Sequence, residues 1–209
     1  METLDLRKQL KSYYAPSAKK VEALEIPAFN FLMIDGNIEK NFTPGTSLGF
    51  QEAIGALYGA AYTLKFMLKQ RKEDPVDYPV MALEGQWWVE DGHFDITVKD
   101  NWFYTLMILQ PDLITPDLFA EALAKLRKKK GDQPIYARLR LERFQEGLCM
   151  QVMHLGPYDA EPATVTRMDE FAQANGYRKC GKHHEIYLGN PLSANLAKLK
   201  TILRHPIQK

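Results

Sequence analysis

The sequence predicts an α+β fold: two strand-helix-strand-strand modules related by a pseudo-two-fold, with a ligand groove between them. Three observations carry this. Apolar periodicity switches between a two-residue and a three-to-four-residue repeat in the same order twice. Strong turn signals separate the paired strand patterns in each half. Near the end of the chain, alternation in His183-His184-Glu185-Ile186-Tyr187-Leu188 places His183, Glu185 and Tyr187 on one face and a mostly apolar set on the other.

Residues 1–20 are polar and basic and predict a peripheral N-terminal arm. The domain proper then runs over 21–209, with module one at 21–112, a linking helix and strand at 113–146, and module two at 147–209. A first strand is expected within Val21 to Asn37, centred on Ala28 to Ile34. The loop Asn41 to Ser47 ends in helix-capping residues. A helix from Leu48 to Arg71 follows, since Phe50, Ile54, Leu57, Tyr58, Ala61 and Leu64 recur at three- and four-residue steps. Val80 to Val89 and Asn101 to Leu109 read as strands around a turn at Glu90 to Phe94.

Thr115-Pro116-Asp117 opens the linking helix with a threonine cap and a proline in its first turn; it runs to Lys130. Tyr136 to Phe144 alternates as a strand, and Gln145-Glu146-Gly147 is expected to turn into another, Leu148 to Leu155. A helix from Glu161 to Asn175 is stopped by Asn175-Gly176. The strand His183 to Leu188 ends at the turn Gly189-Asn190-Pro191. The last strand, Leu196 to His205, is expected to be closed by Pro206.

Among 209 residues, 45% are hydrophobic and 25% charged, enough apolar material for a real core. The formal net charge of +1 provides no global field for nucleic acid or an anionic membrane. The basic run Arg127 to Lys130 suits a helix C-terminus, where cations complement the dipole. Cys149 and Cys180 form no metal or disulfide framework, and reduced thiols in a cytoplasmic protein are expected. No apolar run is long enough to span a bilayer. Phosphate-loop, GxSxG and HExxH patterns are absent. His183 and His184, adjacent on a strand, point opposite ways and cannot chelate one ion together, so no metal is expected.

Several stretches together resemble a known family. They are Met150 to Asp159, Glu161-Pro162-Ala163-Thr164-Val165, Met168 with Phe171, Asn175-Gly176-Tyr177, Lys182 to Leu188 with Asn190-Pro191, and Leu199 to Pro206. Upstream, Leu57-Tyr58, Tyr62 to Lys65 and Trp87-Trp88 add to the likeness. In order and spacing these resemble the GyrI-like small-molecule-binding proteins, in particular the stand-alone members related to effector-binding domains of multidrug-responsive regulators.

That resemblance implies the two-module fold and a carboxylate, at the position of Glu185, facing lipophilic cationic ligands among aromatic rings. It further implies, for some stand-alone members, hydrolysis of the cyclopropane in DNA-alkylating compounds. A non-catalytic drug sink or sensor, and a protein that interacts with gyrase or another partner, stay open as alternatives. No cofactor is implied. With only 20 residues before the domain there is no helix-turn-helix module, and direct nucleic-acid binding is not expected.

The catalytic candidates are Glu185, as a base toward water, and Tyr187, as a hydrogen-bond donor. The ligand-binding candidates are Trp87, Trp88, Tyr58, Tyr104, Tyr158, His183 and Glu84. Each tryptophan serves core packing equally well, and alternation allows only one of Trp87 and Trp88 to face the groove. Glu84 is the approximate counterpart of Glu185 in the first half, and His183 is placed to hydrogen-bond Glu185.

Overall fold

A computed structural model describes residues 2–91, 94–98, 101–189 and 196–209. The N-terminal segment holds a two-residue strand, β1 (Glu2–Thr3), and two single-turn helices, α1 (Leu6–Gln9) and α2 (Lys11–Tyr14). β2 (Glu22–Asn37), α3 (Leu48–Lys69), β3 (Val76–Asp77), β4 (Leu83–Trp88) and β5 (Phe103–Gln110) follow. α4 (Pro116–Lys130) and a 3-10 turn (Pro134–Arg138) lead into β6 (Arg140–Leu155). The chain ends with a 3-10 turn (Tyr158–Ala160), α5 (Glu161–Ala174), β7 (Arg178–Lys179), β8 (His183–Tyr187), a 3-10 turn (Leu196–Lys198) and β9 (Lys200–Gln208).

β1 and β3 pair in parallel on their own, while the longer strands form one antiparallel sheet in the order β6-β2-β5-β4-β8-β9, in which β6 also pairs with β9. The sheet therefore closes into a six-stranded barrel-like structure, with β7 attached to the end of β9. Closure gives each of these six strands a partner on both sides over part of its length.

The register fixes two faces. Across β4 and β8, Gly85 lies opposite Glu185 and Trp87 opposite His183, while Gln86 lies opposite His184. The odd-numbered set faces outward, toward α3, since Phe50 of α3 packs on Trp87 and Tyr104 with ring centroids 5.5 and 5.1 Å apart. α3 buries Leu57, Leu64 and Leu68 completely against the sheet, and each contributes roughly 1.5–3 kcal/mol. α5 covers another part of the outer surface, where Met168 and Ala172 meet Met150, Val152 and Leu203.

The even-numbered face turns into the barrel and is charged. His184 stands between Glu84 (Nε2 to Oε2, 3.1 Å) and Glu146 (Nδ1 to Oε1, 3.0 Å), and Arg204 reaches Glu146 at 3.4 Å and Gln151 at 3.0 Å. Glu146 sits on β6, two strands from β8, so this contact crosses the interior.

Three expectations change here. The segment before residue 21 is not peripheral: Leu6 and Tyr14 are buried, the Tyr14 hydroxyl donates to Glu84 at 2.6 Å, and Arg204 donates to the Tyr13 carbonyl at 2.7 Å. Gln145 to Gly147 does not end a strand, and residues 136–138 lie in a 3-10 turn; β6 runs through from Arg140, paired with β2 on both sides of Gly147. Gly147 takes φ +78°, a conformation open to glycine. It resets the alternation, so that Glu146 and Gln151 both reach Arg204. Pro206 does not close β9, which continues to Gln208 with Pro206 opposite Cys149. The expected turn at Asn190-Pro191 and the centre of the turn at Glu90 to Phe94 lie outside the described residues.

Candidate functional site

A cavity of about 440 Å³ opens on the outer face of the β4–β8 pair. Its floor is Trp87, Glu185 and Tyr187; its walls include Phe50, Trp102 and Tyr158. Local structure explains each placement. The Ser47 hydroxyl caps α3 by accepting from the Phe50 amide at 3.0 Å, a cap type that satisfies an orphan helix donor. This fixes the start of α3 and with it Phe50 and Gln51 at the cavity.

On the opposite side, His154 of β6 bonds Thr164 of α5 at 2.8 Å through Nδ1 and the Pro157 carbonyl at 3.1 Å through Nε2. The carbonyl can only accept, so Nε2 carries the proton and the ring holds the turn that presents Tyr158 and Glu161.

The rings pack in pairs along the walls. Trp87 packs on Trp102 at 5.4 Å, and Tyr158 meets Tyr187 edge-on at 5.9 Å and 88°. Trp102 is tethered by its indole N–H to the Val98 carbonyl at 2.6 Å. Glu185 is only 6% exposed, and His183 Nε2 lies 3.2 Å from its Oε1. Phe94 stacks on the His183 ring at 5.4 Å, which keeps that imidazole against Glu185.

The Trp87 indole donates to the Tyr187 hydroxyl at 2.9 Å. Tyr187 in turn bonds Glu185; burial, then the Glu185 charge, hold its hydroxyl well above its ordinary pKa. Burial, with Glu161 and Glu185 nearby, pushes Tyr158 up to about 12. Both phenols are thus protonated donors at neutral pH. Chemically, the cavity offers two carboxylates and two phenolic donors inside an aromatic enclosure.

Of the residues singled out from sequence, Glu185, Tyr187, Trp87 and Tyr158 line this cavity and His183 supports it from behind. The others go elsewhere. Glu84, expected to face the groove, projects into the barrel toward His184 and Tyr14, because it shares the register face of Ile186. Trp88 is on that same face, stacked on Phe103 with the Lys182 ammonium 3.3 Å from its ring centre. Tyr104 is buried behind the site, lying across Gly36 and against Phe50 and Trp87. Tyr58 sits on the face of α3 that looks toward α4.

Sequence reasoning missed Phe50 and Glu161 as cavity residues and left Trp102 evenly between core packing and the cavity. Glu161 has a legible signal, a glutamate before Pro162 in the first turn of a helix. Phe50 and Trp102 have none, because a cavity aromatic and a core aromatic follow the same periodicity.

Comparisons with known proteins agree with this architecture. The model of the GyrI-like small molecule binding domain matches residues 19–208. An uncharacterized conserved protein from Listeria innocua is 40% identical, with a TM-score of 0.87 over 98% of this chain and 100% of that one. A hydrolase from Listeria innocua is 38% identical, with a TM-score of 0.82 over 98% and 100%. The C-terminal domain of EcmrR, at 13% identity and a TM-score of 0.54 over 91% and 98%, shares the fold. No functionally curated protein matches the sequence. With a family match across nearly the whole chain and solved relatives near 40% identity end to end, the chain belongs to the GyrI-like small-molecule-binding family.

Proposed function

We propose that the protein binds lipophilic aromatic and cationic small molecules in the Glu185 cavity and hydrolyses those that carry a strained, electrophilic cyclopropane. The observation that carries this reading is a buried carboxylate, Glu185, lining an aromatic-walled cavity of about 440 Å³. That volume suits a drug-sized ligand. The cavity is the groove between two modules, β2-α3-β4-β5 and β6-α5-β8-β9, related by a pseudo-two-fold. Matched pairings support this: β2 with β5 and β6 with β9 within the modules, β4 with β8 at the join. The N-terminal ends of α3 and α5 frame the cavity from its two sides.

Glu185 and Glu161 favour cationic ligands, and the indole and phenol faces add cation–π attraction. In the reaction, Glu185 takes a proton from a water in the cavity. The water oxygen bonds to the strained methylene carbon and a cyclopropane C–C bond breaks. The electron pair moves to the conjugated carbonyl oxygen, which takes a proton from solvent as Glu185 returns its own to solvent. Tyr158 hydrogen-bonds that oxygen as charge develops. Tyr187 orients Glu185 through the bond they share. The relative that is a hydrolase supports the reaction class for this chain.

The test incubates the protein with an activated-cyclopropane alkylator and follows ring opening by mass spectrometry. Wild type should open the ring above the buffer rate, and Glu185→Gln should lose about 100-fold or more, the usual worth of a general base. No ring opening by wild type would remove the hydrolase reading. Glu185-dependent binding of a cationic dye would then identify a non-catalytic drug sink.

A further inference from the structure

A second concavity, about 1570 Å³, lies between α3 and α4 and shares no lining residue with the Glu185 cavity. One wall is an aromatic ladder on α3. Tyr58, Tyr62 and Phe66 recur every four residues, with ring centroids 6.2 and 6.4 Å apart. Tyr62 and Phe66 are 47% and 46% exposed. The facing wall is basic and comes from α4: Lys125, Lys129 and Lys130. Lys125 is answered by Glu121 at 2.8 Å, whereas Lys129 and Lys130 meet no carboxylate among the described residues.

Gly55, on the same α3 face, adds an independent observation. A Cβ there would touch nothing within 4 Å, so packing inside the chain does not require glycine. Yet a glycine inside a helix costs about 0.5–1 kcal/mol relative to alanine. The missing side chain leaves open space on this wall of the groove.

We infer that this groove docks an acidic amphipathic helix of a partner protein. Its apolar face lies on the Tyr58-Tyr62-Phe66 ladder and its carboxylates face Lys129 and Lys130. Dimensions agree: from Tyr58 to Phe66 the ladder spans about 12 Å, and three turns of a ~10 Å-wide helix fill roughly 1,300 Å³. Helices in grooves anchor through side chains at three- and four-residue spacing, the spacing the ladder presents. A single strand of nucleic acid would also meet rings and lysines, but the groove lies between two helices and its floor is apolar, with Ala56 and Leu126.

The experiment titrates the full chain into a fluorescein-labelled helical peptide of about 18 residues with leucine on one face and glutamate on the other. Anisotropy should saturate with a Kd on the order of 10 µM. The double variant Lys129→Glu/Lys130→Glu and the groove-filling Gly55→Leu should each weaken binding at least about tenfold. Circular dichroism should show both variants folded as wild type, and Glu185→Gln should bind the peptide as wild type does. The inference is overturned if the peptide does not saturate, if a lysine-for-glutamate peptide binds equally well, or if the well-folded variants bind undiminished. Preferential binding of an oligothymidylate would overturn it in favour of nucleic acid.

Discussion

The indole N–H of Trp87 donates to the hydroxyl oxygen of Tyr187 at 2.9 Å, across the β4–β8 pair and in the floor of the cavity. That bond occupies an acceptor lone pair of the phenol and leaves its proton to point at Glu185. Trp87→Phe keeps the aromatic surface and removes the donor. Dye binding should change by less than about threefold, while cyclopropane ring opening should fall about tenfold, the worth of one hydrogen bond. An equal loss in both assays would show that Trp87 acts by filling space.

Gly85 makes this bond sterically possible. A Cβ at Gly85 would come within 3.0 Å of Trp87 Nε1 and 3.2 Å of Tyr187 Oη. Gly85→Ala should therefore push the pair apart and reproduce the Trp87→Phe loss of activity. Stability should fall by about 1–3 kcal/mol, as overpacking does. Urea denaturation and the ring-opening assay check the two effects separately.

The barrel interior sets a pH dependence. Burial works against the His184 imidazolium, but Glu146 and Glu84 outweigh it and lift the group to about 9. A raised folded-state pKa gives stability that is fully present below the unfolded value near 6.5 and is lost as pH rises to about 9. Chemical denaturation should show a decline on the order of 3 kcal/mol between those limits. On the acid side, burial opposes the Glu146 carboxylate, yet His184 and Arg204 hold it below its ordinary value. Its contribution is present above the unfolded value near 4.5 and fades as pH falls through the lower folded value. A flat profile from pH 6 to 9.5 would contradict the His184 assignment.

The N-terminal segment is expected to matter for folding. Tyr14→Phe removes the donor to Glu84 while keeping the ring, and leaves a buried carboxylate oxygen short of a partner. The cost should be about 1–3 kcal/mol, read as a lower urea midpoint with unchanged slope. No change would show that the segment's apolar contacts, Leu6 among them, carry its attachment.

The long helices and most strands were legible because apolar periodicity over long segments is a strong signal, and alternation grouped His183, Glu185 and Tyr187 on one face of β8. Barrel closure was not legible, since pairing of β6 with β9 joins strands nearly fifty residues apart and depends on a bend at Gly147 that resembles a turn. Choosing between Trp87 and Trp88 needed the register with β8, which no local pattern carries. The basic residues of the N-terminal segment concealed its two deep anchors, Leu6 and Tyr14. Tyr58 followed the helical apolar stripe faithfully but belongs to a different groove.

His184 and Glu185 are neighbours in the chain and occupy separate compartments, one inside the barrel and one in the aromatic-walled cavity. The barrel's charged interior and the cavity's lining are thereby written on alternate letters of the same strand. Changes at 185 and 187 alter the lining of the cavity while the charged lock at 84, 146, 184 and 204 stays intact. The architecture in this way separates evolvability from stability at single-residue resolution.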